Sequence, residues 1–198
     1  RSRSRRRSSP SGSIDYPINP LSIALGAEAS FVARSIAIDV QHLTSTLERA
    51  ARHKGTSFVE VYQNCNVFND GAFDGFADKS VRPDRTITLE HGKPLIFGKD
   101  NDKGIRLNGT RPEVVNLGAG VSERDLLIHD VTDPDPIVAH ILSRMQWPDF
   151  PVPLGVVRAV DRPTYDSLLD GQVQDAIKSS GEGDLTAILN AGDIWEVE

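Results

Sequence analysis

From Pro20 onward the apolar positions switch between two spacings. In PLSIALGAE, Leu21, Ala24 and Leu25 recur at helical intervals and Gly26 follows, which predicts a short helix closed by glycine. SFVARS, with Phe31 and Val32 at its centre, predicts a short strand. DVQHLTSTLERAARHKG sets Val40, Leu43, Leu47 and Ala50 along one helical face. Asp39 is placed to cap that helix, and Gly55 to end it after Arg52, His53 and Lys54, whose charges suit the negative end of the helix dipole. SFVEVYQN, with Phe58, Val59 and Val61, predicts a second strand. The order helix, strand, helix, strand predicts a doubly wound α/β layer with parallel strands.

After Asp70 the pattern breaks into shorter pieces. Residues 71–83 read as a loop, and TITL, PLIFG, GIRLNG and PEVVNLG read as small antiparallel strands between turn residues. DPDPIVAHILSRMQ predicts a helix opening on acidic residues and proline, and PLGVVRAV a further strand. PTYDSLLDGQVQDAIKSS predicts one or two helices interrupted at Gly171, and DLTAILNAGDIWEVE a last helix and a terminal strand. The divisions expected are a disordered basic and Ser-rich lead-in over 1–13, an α/β part over 14–70, and an α+β region over 71–198.

Composition narrows the class. Of 198 residues, 38% are hydrophobic and 25% charged, which fits a globular chain. No apolar run approaches the roughly 20 residues that span a bilayer, so no membrane segment is expected. The net charge of −6 disfavours nucleic acid, because phosphate backbones repel an acidic surface. RSRSRRRSS is the only cation cluster and is read as a disordered tail rather than a binding arm. The single cysteine, Cys65, cannot form an internal disulfide and suits a reducing cytoplasm.

The segment with most chemistry is Tyr62–Asp70, YQNCNVFND, at the end of a predicted parallel strand. Ligands of open α/β sheets bind outside the carboxyl ends of strands. A thiol there, flanked by Asn64, Asn66 and Asn69, is either a small buried hydrophobe or a metal ligand with amide neighbours. His42, His53, His91, His129 and His140 make no HxxxH or HExxH pattern, and His42 and His53 are expected on the surface of their helix. GAGVS at 118–122 lacks the lysine and spacing of a phosphate loop, and no GxSxG occurs.

GSIDYPINPLSIALGAEASFVAR, SFVEVYQNCNVFND and DPDPIVAHILSR…FPVPLGVVRAVDRPTYDSLL, in that order, resemble the C-terminal part of the β subunits of thiamine-dependent 2-oxoacid:ferredoxin oxidoreductases. The resemblance implies the C-terminal half of a doubly wound thiamine-diphosphate-binding domain, followed by a small α+β C-terminal region. It implies Cys65 as a [4Fe–4S] ligand through its thiolate, with Asn64, Asn66 and Asn69 as neighbouring amide donors. It implies oxidative decarboxylation of a 2-oxoacid, by overall pattern 2-oxoglutarate, to an acyl-coenzyme A with reduction of ferredoxin. The implied partners are an α subunit, ferredoxin, coenzyme A and the 2-oxoacid.

The family holds thiamine diphosphate through Mg²⁺ with a GDG motif, and no GDG occurs here. With that motif and further cysteines expected upstream, the chain by itself is expected to be inactive. Three alternatives remain at this level: a truncated subunit with a docking or assembly role, the same chemistry on pyruvate or another 2-oxoacid, and a plain α/β binding module whose cysteine is structural.

Overall fold

The computed structural model describes residues 16–118, 120–193 and 195. The basic lead-in and the expected terminal strand lie outside the described residues, apart from Trp195. The chain divides into two units, Arg1–Arg162 and Pro163–Glu198.

The first unit opens with helix α1 (Pro20–Gly26), whose start is fixed by Asn19: its side chain accepts from the Ser22 amide, with Pro20 at the first helical position. Strand β1 (Phe31–Ile36), helix α2 (Val40–Arg52) and strand β2 (Ser57–Tyr62) follow as the sequence pattern predicts. Asp39 caps α2 by accepting from the His42 amide at 3.1 Å. The helix ends at Arg52, with His53 already extended, so Gly55 lies beyond its end rather than closing it.

β1 and β2 are parallel, with Arg34 opposite Glu60 and Ile36 opposite Tyr62. The sheet then recruits distant chain. β7 (Val152–Ala159) pairs antiparallel with β1, and β3 (Thr86–Leu89) pairs parallel with β7, giving the order β2-β1-β7-β3. The sheet is therefore mixed, and it crosses the division expected near residue 70. TITL joins it as β3 instead of forming a hairpin. Its neighbour β7 is buried along almost its whole length, so both its edges need backbone partners. A separate antiparallel sheet holds β4 (Ile96–Phe97), β5 (Lys103–Asn108) and β6 (Arg111–Asn116), as the short runs predicted. Within 71–83, read as loop, sit the one-turn helix α3 (Asp74–Ala77) and the first residues of α4 (Arg82–Arg85).

The two faces of β1 pack differently. Val32 joins the main core with Leu21 and Leu25 of α1 and Leu142 of α5 (Ile137–Arg144). Phe31 and Ala33 join Val156, Ala50 and Val59 on the opposite face, beneath α2. The face that α2 turns inward differs from the apolar stripe read in the sequence. Val40 and Leu47 are exposed, and Thr46 is the buried residue of the helix. His42 and His53, expected on the surface, point at the sheet: His42 Nδ1 lies 2.8 Å from Ser35 Oγ and His53 Nε2 lies 2.8 Å from Ser30 Oγ. Buried serine hydroxyls on and beside β1 need partners, and the two imidazoles supply them.

The second unit contains α6 (Tyr165–Ser180), capped by Thr164, and α7 (Leu185–Leu189), capped by Asp184. α6 runs through Gly171 without a break, since one helical glycine costs only about 1 kcal/mol against alanine and leaves the amide in place. Both helices are exposed throughout, including Leu168, Leu169, Val173, Leu185 and Leu189. No helix among the described residues is long and apolar enough to cross a membrane.

Candidate functional site at the end of β2

Cys65 stands three residues past β2 and is exposed. Its loop is stapled from within. The Asn69 amide donates to the Cys65 carbonyl at 2.9 Å, closing a local bridge between these residues. Asn64 Nδ2 donates to Asn66 Oδ1 and to Asp70 Oδ1, each at 2.7 Å, and Asn64 Oδ1 accepts from the Gly71 amide at 2.9 Å. Asn64 and Asn66 thus spend their amides on the loop, and Asn69 contributes its backbone. The thiol is left outward on a shaped turn.

Aromatic packing anchors both ends of this loop. Tyr62, before it, stacks on Phe73, after it, at 4.8 Å between centroids, and meets Phe76 edge-on at 5.4 Å. Burial pushes the Tyr62 phenol up to about 12; Arg34 opposes the shift and Glu60 adds to it. The phenol is neutral at physiological pH.

Beneath lies a feature that sequence reading missed. Arg34 Nε donates to Glu60 Oε2 at 2.6 Å, and the guanidinium sits 5.2 Å from the Tyr62 ring centre. A charge inside the apolar run FVARSI, matched by one in FVEVY, was the available signal. Parallel register is what brings the two together.

The donor set bears on the cofactors. One exposed thiol fits one thiolate ligand of an iron–sulfur cluster. Among the described residues no group of three or more His, Cys, Asp or Glu is disposed to hold a metal ion. Cys65 could supply one of the several thiolates that such a cluster takes.

No family model matches the chain. The 2-oxoglutarate oxidoreductase subunit KorB of Mycobacterium tuberculosis is 39% identical over 196 residues, which is 97% of this chain and 52% of that protein. The chain is thus similar along nearly its whole length to a subunit of this kind. A 2-oxoacid:ferredoxin oxidoreductase β subunit of Saccharolobus solfataricus is 37% identical over 75 residues, 38% of this chain and 25% of that one. The chain spans about half the length of KorB. The solved 2-oxoglutarate:ferredoxin oxidoreductase of Magnetococcus marinus shares its fold, with a TM-score of 0.59 and 19% identity over 94% of this chain and 48% of that one. That structure was determined with 2-oxoglutarate, coenzyme A and succinyl-CoA bound.

Proposed function

We propose that the chain forms part of the β subunit of a 2-oxoglutarate:ferredoxin oxidoreductase, in which Cys65 supplies one thiolate to a [4Fe–4S] cluster. The observation that carries this reading is the exposed thiol on an internally stapled turn at the carboxyl end of a parallel strand. Thiolate is the usual cluster ligand, and the remaining ligands come from outside the described residues. Asn64 and Asn66 hold the turn, so the thiol is positioned before a metal arrives. Tyr62 and Phe73 keep the loop ends together.

Thiamine diphosphate with Mg²⁺, when bound by the assembled subunits, supplies the decarboxylation chemistry. This chain contributes the sheet, the thiol and its surroundings. The partners under this reading are an α subunit, ferredoxin and coenzyme A, and the assembly works in the cytoplasm. The names of KorB and of the Magnetococcus enzyme favour 2-oxoglutarate over pyruvate.

The test is anaerobic purification of the chain within its native assembly. An iron-containing complex that reduces ferredoxin with 2-oxoglutarate and coenzyme A, and poorly with pyruvate, supports the reading. A complex free of iron that still retains the chain would replace it with a docking role, which the exposed leucines of α6 and α7 already suit.

A further inference from the structure

We propose that the outer edge of β2 and the apolar flank of α2 beside it form one docking surface, whose occupant is a strand with an apolar helix from the half of a β subunit that this chain does not span. The proposal deepens the reading above: it rests on the chain being part of a β subunit, and not on Cys65 being an iron ligand.

The first observation is an open backbone edge. β2 stands at the end of the order β2-β1-β7-β3. The Phe31 amide donates to the Thr56 carbonyl and the Ala37 amide to the Tyr62 carbonyl, with Phe31 opposite Ser57 and Ile36 opposite Tyr62. Alternation along the strand then turns the backbone groups of Phe58 and Glu60 towards β1, and those of Ser57, Val59 and Val61 away from it. Among the described residues no backbone group pairs with these three.

That edge is also unguarded. Edges left to solvent are ordinarily blunted by charge or proline. β6, at the edge of the small sheet, opens Arg111-Pro112-Glu113 and follows the rule. β2 has no proline or lysine, and its one charge, Glu60, is engaged by Arg34. Phe58, Val59 and Val61 are only half-buried, whereas β1 is buried throughout.

α2 supplies an independent second observation. Val40 and Leu47 are 69% and 46% exposed, and with half-buried Leu43 between them they make an apolar stripe at i, i+3, i+7. His42, Thr46 and His53 face the sheet, so this stripe lies on the helix's flank. Arg49, on the other flank, acts on His129, which holds the Val156 carbonyl of β7. The apolar flank is therefore the one on the β2 side. An open strand edge with an uncovered helical stripe beside it takes a strand on the first and a helix on the second, the layering of an α/β sheet.

The match to KorB takes in 97% of this chain and 52% of KorB. A subunit of that length has nearly as much polypeptide again to place, enough for several strands and helices.

The probe is the half of KorB that this chain does not match, tagged and expressed together with the full chain. The chain is expected to co-purify, and hydrogen exchange at the Val59 and Val61 amides to slow at least about tenfold relative to the chain alone. Val59→Pro removes an outward N–H, a change that edge strands tolerate. The variant is expected to keep the native circular dichroism while its recovery on the tagged half falls at least about tenfold. Should Val59→Pro misfold, exchange in the native chain decides. Three results overturn the proposal: no recovery of the native chain, equal recovery of folded Val59→Pro, or Val59 and Val61 amides already protected in the chain alone, by its own residues or by a second copy. An iron-containing assembly in which those amides exchange freely sinks this proposal and leaves the Cys65 reading standing. Protected amides in an iron-free assembly do the reverse.

Discussion

Arg34 and Glu60 face each other across the parallel β1–β2 pair at 2.6 Å, with Arg34 almost wholly buried and Glu60 only 14% exposed. Their attraction alone says little about stability, because desolvation offsets much of it. What matters is the asymmetry: either partner left alone is a buried charge without compensation. Glu60→Ala is expected to lower stability by about 3 kcal/mol. A double-mutant cycle with Arg34→Met, followed by denaturant unfolding, measures it. Near-additive single and double effects would show that the pair does not act as a unit.

Cys65 separates fold from function. Its side chain is exposed, so Cys65→Ser is expected to move stability by no more than about 0.5 kcal/mol. In the intact assembly the same change is expected to lower iron content and ferredoxin reduction together. Unchanged iron in the assembled variant would dismiss Cys65 as a ligand.

His129 makes stability depend on acid. It is 1% exposed, its Nε2 donates to the Val156 carbonyl at 2.8 Å, and its Nδ1 is buried without a partner. Burial holds its pKa below the ordinary 6.5; the Val156 bond and Asp130 oppose the shift, and His91 and Arg49 add to it. The unfolded chain therefore binds the proton more readily than the folded one. Stability is full above about pH 6.5 and declines as the pH falls below it, by at most about 1.4 kcal/mol per unit for this one group. Urea titrations between pH 7.5 and 5 check this, and His129→Gln is expected to flatten the slope.

Gly155 fixes how closely β7 and β3 approach. It lies at φ +121°, and a Cβ there would stand 3.0 Å from the Leu89 carbonyl oxygen and 3.2 Å from Leu89 Cβ. Gly155→Ala is expected to cost about 2 kcal/mol through backbone strain and the crowded neighbour. Thermal unfolding of the variant reads it, and a Tm equal to that of the native chain would show that β3 can shift without loss.

The elements of the first layer were legible because their signals are local: Asp39 at a helix start, short apolar runs in β1 and β2, and the short runs that became the β5–β6 hairpin. What stayed hidden were decisions taken between distant segments. Nothing in PLGVVRAV says that it runs antiparallel beside β1, or that TITL will flank it. The face of α2 was misjudged for a related reason. Apolar spacing nominated Val40 and Leu47, whereas the hydroxyls of Ser30 and Ser35 drew His42 and His53 inward. At the site, position and loop were readable from YQNCNVFND, but the Arg34–Glu60 pair became visible only once parallel register joined two strands.

The placement of β7 also bears on synthesis. β1 leaves the ribosome well before β7, with one lateral neighbour, β2, arriving soon after it. Its other flank stays open until Val152–Ala159 has been made. Through that interval an apolar strand offers unpaired amides and carbonyls to any extended chain nearby, the arrangement that invites aggregation. Nascent forms ending before Val152 should therefore need chaperone protection that the completed sheet does not.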